Sequence, residues 1–340
     1  MTTRTRTFLF AIVKWLLFAV VLIYVCRKAV ELSDTAALSR ISLKPMWLVA
    51  SAVLYLVGWL PSVWFWQRLM AVLGASPPFS LTIKGYYFGH LGKYVPGKVA
   101  AILVRATTLQ SAGVPIGVSI LTAMIETPMV MGVGLALAIG CAPFLLPISA
   151  WQAFPASVQV LREHVWLGPI IAFVGTLIAV PIAAEWILRF AARKTRQRLA
   201  GIQAQDLAGN AAEPSASFSR TQLVRLLLIG VVAFLPTWFA QGLSLGCLLL
   251  SMGTVDVVTT RDWLLWTGAI GAGNSLGFFV LFAPGGLGVR EGILIACLAP
   301  TAGNPAAVAA SGLLRLVWLA AELLAAGALW LIEKLKRSRR

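Results

Sequence analysis

Charged residues are scarce in this chain, and acidic residues are the scarcest. Only 12% of its 340 residues are charged, with 12 Asp and Glu against 28 Lys and Arg, whereas 59% are hydrophobic. Soluble domains carry about 25% charged residues, so this composition excludes a soluble globular protein. Several apolar stretches of about 20 residues match the length that crosses a bilayer core of about 30 Å. The sequence therefore predicts a polytopic membrane protein.

The residue types that build metal sites and hydrolytic active sites are also rare. Histidine occurs only at His90 and His164, and the 4 cysteines fall in apolar stretches without the spacing of a metal or redox motif. The segment 92–99 approaches the phosphate loop G-x-x-x-x-G-K-[ST], but Val99 stands where the magnesium-binding hydroxyl is required, and no strand precedes it. We predict no catalytic residue, no metal site and no cofactor, and hence a protein that is not an enzyme.

The basic residues lie where membrane topology places them, so the net charge of +16 does not indicate nucleic-acid binding. The predicted spans cover 8–26, 46–72, 115–146, 166–190, 222–252 and 305–333. No cleavage motif follows the first span, which predicts a retained anchor rather than a signal peptide. Basic clusters precede the first span, follow the fourth and close the chain. Because cytoplasmic loops are enriched in Lys and Arg, we expect both termini in the cytoplasm and the protein in the cytoplasmic (inner) membrane.

Two halves of the chain carry the same landmarks in the same order. Leu60-Pro61 followed by Trp64-Phe65 recurs as Leu235-Pro236 followed by Trp238-Phe239. Each half continues with a Pro-Gly turn, a further proline and an intramembrane charge: Pro96-Gly97, Pro115 and Glu126, then Pro284-Gly285, Pro305 and Arg315. Weak duplication with apolar segments interrupted at matching places is typical of transporters.

Glycine and proline interrupt two apolar segments, 78–112 and 262–302. Interrupted backbone survives in a membrane only inside protein or beside a wet cavity, so each segment is predicted to form a hairpin that enters and leaves on one side. The predicted fold is all-α, with two inverted repeats, each of three spanning helices plus one re-entrant helical hairpin. One integral membrane domain covers 1–340, with repeats at 1–150 and 151–340 and a cytoplasmic linker at 191–221. If the hairpins instead cross fully, the chain has ten spans with the same end locations.

The candidate substrate-binding residues are the charges in and beside the hairpins. They are Lys93, Lys98, Arg105, Glu126, Arg290, Glu291, Arg315 and Glu322. Charges at membrane depth are costly and usually mark a substrate path. The first hairpin has an excess of cations without a local counter-ion, which favours an anionic ligand such as a phosphate. Snorkelling of long side chains to the headgroups is the alternative for these cations.

Backbone turns are the second set of candidates. They are Pro96, Gly97, Pro284, Gly285, Gly286 and Gly288. Glycines let backbone N–H groups approach a ligand, and the helix start that follows favours an anion. We expect Arg290 and Glu291 to pair with other elements, and the hypotheses are an Arg315–Glu291 or an Arg290–Glu126 pair. Such pairs would serve either the substrate or only the contact between the two halves.

The motif residues resemble a known family. They are the run Leu91–Lys98, Glu126, the run Pro284–Glu291 and Arg315. With them the chain resembles the lysylphosphatidylglycerol synthase transmembrane domain family, also described as flippase-like membrane proteins. The resemblance implies a membrane unit that moves a lipid between leaflets. In the best-known members a soluble aminoacyl-transfer domain follows, and none follows here before Arg340, so synthase activity is not implied.

We therefore expect a lipid translocase for an anionic or phosphate-headgroup lipid. Its partner is a membrane phospholipid or, as the resemblance also implies, a polyprenyl-phosphate lipid, and self-association into a homo-oligomer stays open. Two alternatives remain: a membrane component acting in polyprenyl-phosphate-linked glycan or lipid synthesis, and a secondary transporter of small anions.

Overall fold

The computed structural model describes residues 43–94, 99–145, 220–280, 286 and 288–338, with shorter pieces between 152 and 182. All regular secondary structure in these residues is helical. The predicted span 8–26 and the linker up to residue 219 lie outside the described part, and span 166–190 is described only in fragments. The turn residues Pro96, Gly97, Lys98, Pro284 and Gly285 also lie outside it.

The helices of the first half are α1 (Pro45–Gly58), α2 (Leu60–Val72), α3 (Phe79–Gly92), α4 (Val99–Gln110), α5 (Ile116–Gly140) and α6 (Ala142–Leu145). Those of the second half are α7 (Ala156–Glu163), α8 (Arg220–Ser251), α9 (Thr260–Phe279), α10 (Val289–Ala302) and α11 (Asn304–Ser338). Proline stands at the start of α1 and α2, where a missing N–H costs no hydrogen bond.

Four helical segments of the described chain are long and apolar enough to cross a membrane. They are Pro45–Val72, Ile116–Gly140, Val224–Ser251 and Asn304–Lys336. Each coincides with one of the predicted spans, so the prediction of a multi-pass helical membrane protein is confirmed. The first of these segments has a break at Trp59, between α1 and α2, which the sequence pattern did not predict.

The first interrupted segment forms two helices, α3 and α4, that pack in antiparallel orientation. A Cβ added to Gly92 would lie 2.6 Å from the Cα of Ala101, and one added to Gly85 would lie 3.7 Å from the side chain of Leu109. Residue numbers therefore rise along one helix as they fall along the other. The backbones approach so closely at Gly92 that no larger residue fits without a shift.

The second interrupted segment has the same arrangement in α9 and α10. A Cβ on Gly273 would lie 3.7 Å from Leu294, and one on Gly277 would lie 3.4 Å from the Cα of Gly286. Gly286 has a φ of +71°, a conformation that side chains other than glycine rarely adopt. Both interrupted segments are thus helix pairs with a glycine-lined interface.

The two halves meet along α1 and α2 on one side and α8 on the other. Polar contacts join Lys44 to Ser251, Ser51 to Ser244 and Ser62 to Thr237. The order of these contacts shows that the helices run antiparallel. The interface is filled by large buried side chains, among them Phe65 against Phe234 with ring centroids 5.0 Å apart.

The remaining long helices pack around this central interface. Helix α5 contacts α4, α8 and α9, whereas α11 contacts α10, α1 and α3. The α5–α9 contact is close, because a Cβ on Gly271 would lie 2.4 Å from the carbonyl oxygen of Gly134. Ser275 Oγ donates a hydrogen bond of 2.8 Å to the Met131 carbonyl at the same interface. Small residues at such crossings are typical of membrane helices, where packing drives association.

Candidate functional site

A cavity of about 350 Å³ lies between the two antiparallel helix pairs. Its polar lining includes His90, Lys93, Arg105, Glu126, Asn274 and Arg290. Residues from α3 and α4 form one side, and residues from α9 and α10 form the other. Lys93 and Arg105 of the first interrupted segment and Arg290 of the second therefore face one shared chamber.

Part of the cavity wall lies at the outer surface of the helix bundle. Met124 and Pro128 line the cavity and are exposed, Met124 by 56%. Both belong to α5 and lie near the middle of its length, which is long enough to span a membrane. The cavity thus has an apolar side wall at the depth where a spanning helix faces hydrocarbon.

Arg105 and Glu126 form a buried ion pair on the first-half side of the cavity. Arg105 Nη1 donates to Glu126 Oε2 at 2.8 Å, and Tyr86 Oη donates to Glu126 Oε1 at 2.7 Å. The guanidinium also lies over the ring of Tyr86, 3.9 Å from its centroid. Helix packing brings these groups together because α4 and α5 are neighbours. Glu126 is only 1% exposed, so Arg105 is its necessary counter-ion.

Glu322 of α11 is the second buried carboxylate. It is fully buried, and its Oε1 atom accepts hydrogen bonds from Lys93 Nζ and Tyr55 Oη. His90 Nδ1 lies 3.4 Å from the same oxygen. Glu322 Oε2 has no hydrogen-bond partner among the described residues. Lys93 is less buried, with 31% of its side chain exposed.

Glu291 is the third carboxylate, and the chain itself satisfies it. Arg315 Nη1 donates to Glu291 Oε1, and the backbone N–H of Gly288 donates to Glu291 Oε2 at 2.7 Å. Gly288 has a φ of +81° and is the N-cap of α10. The anion at this helix start is therefore the carboxylate of Glu291, which accepts the N–H of the N-cap residue at the first turn.

Arg290 has no carboxylate partner in the described part of the chain. Its guanidinium lies over the ring of Trp318, 4.3 Å from the centroid, and Trp318 is stacked on Tyr55 at 4.2 Å. Arg290 is only 9% exposed, and its Nη2 atom has no acceptor among the described residues. A cation over an aromatic face is stabilised by the ring, but the N–H groups still need acceptors.

Three buried donors without an acceptor belong to the lining of this one cavity. They are Trp59 Nε1, Arg105 Nε and Arg290 Nη2. Buried polar groups are nearly always hydrogen-bonded, so a cluster of unsatisfied donors indicates a ligand rich in acceptor oxygens. The ion pairs of Arg105 with Glu126, Arg315 with Glu291 and Lys93 with Glu322 balance in charge. Arg290 is the cation left over in the described residues.

The family model for the lysylphosphatidylglycerol synthase TM region matches residues 8–326 of this chain. The chain belongs to this family. The resemblance read from the motif residues is confirmed, and membership indicates a membrane protein that handles lipids. Comparison with curated proteins and with solved structures gives no match.

In this lysylphosphatidylglycerol synthase TM protein, the cavity brings together four of the residues singled out in the sequence: Lys93, Arg105, Glu126 and Arg290. Gly286 is also part of the lining. Glu291, Arg315 and Glu322 pair with charged groups near its wall.

The predicted Arg315–Glu291 pair is confirmed. The predicted Arg290–Glu126 pair is wrong, because Glu126 is paired with Arg105 from the adjacent helix. Lys93 and Arg105, described cations of the first interrupted segment, do have counter-ions, which come from α11 and α5. Lys98 lies outside the described residues.

Sequence reasoning missed the aromatic residues of the site. Tyr55, Tyr86 and Trp59 line the cavity, and the two tyrosines donate to buried carboxylates. The chain has only 5 tyrosines, and Tyr55 lies in a spanning segment. A phenolic hydroxyl in an apolar span needs a buried partner, which is the signal that could have identified it.

Proposed function

We propose that this protein is a lipid translocase, which moves an anionic or phosphate-headgroup lipid between the leaflets of the cytoplasmic membrane. The observation that carries the proposal is the cluster of unsatisfied donors around Arg290 in the cavity. A phosphate ester offers several acceptor oxygens and a negative charge, which a guanidinium binds with paired hydrogen bonds. A membrane phospholipid and a polyprenyl-phosphate lipid both carry this group.

The position of the cavity wall supports a lipid rather than a small soluble anion. Met124 and Pro128 place the wall at the apolar surface, midway along a spanning helix. A headgroup can enter there while its acyl chains stay in hydrocarbon. A transporter of small anions needs a path lined by polar groups to water on each side, and this wall is apolar.

The packing of the helices supports two inverted repeats. The helices of the two halves match in order: α1–α2 with α8, α3 with α9, α4 with α10, and α5 with α11. Each contact between two of these helices then has a counterpart between the matching helices. The pairs of contacts are α5–α9 with α3–α11, α2–α3 with α8–α9, and α4–α5 with α10–α11. The repeat alignment matches Ser62 to Thr237, and these side chains contact each other at 3.3 Å. Two equivalent residues contact each other only where a twofold axis passes between them. Because α2 and α8 run antiparallel, this axis would lie in the membrane plane, as it does in inverted repeats.

Helix lengths support re-entrant hairpins. At 1.5 Å per residue, the 14 residues of α3 extend about 21 Å and the 12 residues of α4 about 18 Å. Both fall short of a hydrocarbon core of about 30 Å, as does α10 with 14 residues, whereas α9 with 20 residues extends about 30 Å. A hairpin that turns within the membrane uses such lengths, whereas the ten-span alternative requires each helix to cross.

Reconstitution tests the translocase. The purified protein is placed in phosphatidylcholine vesicles that carry a trace of fluorescent phosphatidylglycerol, phosphatidate or polyprenyl phosphate. An impermeant quencher added outside should then also reach the probe that began in the inner leaflet. Arg290→Gln removes the uncompensated cation. Losing its contact with the lipid phosphate costs at least about 2 kcal/mol, so the rate of probe movement should fall about 30-fold or more. Arg68→Gln, on the exposed face of α2, should leave the rate unchanged. No movement of any of the three probes refutes the proposal.

A further inference from the structure

The contact between Lys93 and Glu322 differs from the other two ion pairs of the site. In Glu126 and Glu291 both carboxylate oxygens accept a hydrogen bond, and the arginine partners are buried, whereas in Glu322 only Oε1 accepts one from the described residues. Lys93 lies just beyond the last turn of α3, lines the cavity and is partly exposed. A lysine ammonium on its four-carbon stem can change partners more readily than a planar, stacked guanidinium.

An anion in the cavity would compete with Glu322 for this lysine. Arg290 and Arg315 lie near enough to Lys93 to repel its ammonium. A phosphate held by Arg290 reverses that local field and attracts Lys93 away from α11. Glu322 would then be a fully buried carboxylate without a counter-ion, which is strongly disfavoured. Its unsatisfied Oε2 atom offers a place for a proton.

We infer that Glu322 is a proton-binding site that couples lipid movement to proton movement. This inference rests on the proposed translocase. The lipid phosphate replaces Glu322 as the partner of Lys93. A hydronium ion from the solvent on the side where the lipid enters gives up one proton, which forms an O–H bond on the Glu322 carboxylate and leaves a neutral water molecule. When the lipid leaves on the other side, that O–H bond breaks, the proton returns to water and Lys93 pairs with Glu322 again. The carried unit is then one negative headgroup charge plus one proton, and its charge is zero. A neutral unit crosses hydrocarbon without the cost of moving net charge.

The groups around Glu322 fit this exchange. The titratable groups that act directly on Glu322 are Tyr55 from α1, His90 from α3, and Lys93 and Tyr94 just after α3. Arg290 from α10 and Arg315 from the same helix as Glu322 act on Lys93 and Tyr94, and Glu291 pairs with Arg315 and acts on Arg290. From α8, the described contact next to this cluster is the uncharged Ser244 with Trp318. His90 lines the cavity and lies 3.4 Å from Glu322 Oε1, so it connects the carboxylate with cavity water.

The test uses the reconstituted wild-type chain with fluorescent phosphatidylglycerol in phosphatidylcholine vesicles. With the membrane potential clamped at zero, a gradient of one pH unit should shift the probe's leaflet ratio about tenfold for one proton per lipid. A potential without a pH gradient should not shift it. A ratio that ignores the pH gradient, or that follows the potential, overturns proton coupling while leaving the translocase intact. No probe movement at all overturns both proposals.

Two variants locate the proton site. Glu322→Gln imitates the protonated acid and frees Lys93, so probe movement should persist and lose its response to the pH gradient. Glu333→Gln is the matched control, because Glu333 lies on the same helix, pairs with Lys84 and is not part of the cavity lining. It should keep the tenfold shift. A full gradient response in Glu322→Gln overturns the assignment, and if that variant fails to fold, the wild-type gradient experiment alone still decides whether a proton is coupled.

Discussion

The Arg105–Glu126 pair allows a quantitative test of the buried charges. Arg105→Met leaves a carboxylate that is 1% exposed, supported only by Tyr86 at 2.7 Å and Thr127 at 3.1 Å. Glu126→Gln keeps an acceptor for Tyr86 but leaves the guanidinium, with 9% of its side chain exposed, without a counter-ion. Removing one member of such a pair costs about 3–5 kcal/mol, so each single variant should lose about 3 kcal/mol of unfolding free energy.

The double variant Arg105→Met/Glu126→Gln should be no less stable than either single variant. With both charges gone, no uncompensated ion remains, and replacing a buried pair by neutral groups is often nearly neutral. The cycle therefore predicts a coupling free energy of at least about 3 kcal/mol. Reversible unfolding in mixed micelles, titrated with sodium dodecyl sulfate and followed by tryptophan fluorescence, measures the four free energies.

The exposed pair Lys84–Glu333 provides the comparison. Its side chains are 18% and 32% exposed, so water screens the charges and the same cycle should give a coupling below about 1 kcal/mol. If the Arg105–Glu126 coupling is no larger than that of Lys84–Glu333, the reasoning from burial is wrong.

Two further predictions concern helix packing. Gly271→Ala places a Cβ 2.4 Å from the Gly134 carbonyl oxygen. It should lower the unfolding free energy by about 1–3 kcal/mol in the same titration. The added Cβ of the control, Gly132→Ala, meets nothing within 4 Å and should not lower the unfolding free energy. Ser51→Cys with Ser244→Cys should form a disulfide under mild oxidation in a background without the native cysteines, because the native hydroxyl oxygens lie 3.0 Å apart. Absence of that cross-link in folded protein contradicts the antiparallel contact of α1 with α8.

The sequence predicted the helical segments well because their signals are local. Glycine and proline interrupt 78–112 and 262–302, and the structure has a helix pair in each. The charged residues of the site could be listed for a similar reason, since a charge in an apolar stretch is visible without knowing the fold. The ends of α1 and α2 were less predictable, because Pro61 signals the break at Trp59 but Pro128 and Pro236 lie inside helices that continue through them.

The partners of those charges could not be predicted from the sequence. Lys93 and Glu322 are far apart along the chain and meet because α3 packs on α11. Glu126 pairs with Arg105 rather than with Arg290, which lines the same cavity, because α4 lies beside α5. Which acid neutralises which base depends on the order of helices around the central interface, and that order is a tertiary property.

The two arginines of the cavity occupy similar places in the two halves. The stem of Arg105 lies over Gly89, where an added Cβ would be 2.6 Å from its Cγ, and the stem of Arg290 lies over Gly273, where the distance would be 3.4 Å. Each guanidinium lies over an aromatic ring. Each helix pair thus presents one arginine to the shared chamber, and the two arginines differ mainly in what neutralises them.

That difference follows from a single change of sign between the halves. The repeat alignment places Arg315 in α11 where α5 has Glu126. In the first half the acid neutralises the cavity arginine at 2.8 Å. In the second half that place holds a cation, which Glu291 neutralises, so no described acid remains for Arg290. If each cavity arginine were neutralised by its own acid, both would bind an anion weakly. Among the described residues only Arg105 is neutralised, so the uncompensated positive charge of the cavity lies at Arg290 on α10. Arg315→Glu combined with Glu291→Gln would restore the symmetry, because it offers Arg290 a carboxylate and leaves no acid without a counter-ion. This double variant should slow probe movement in the reconstituted vesicles.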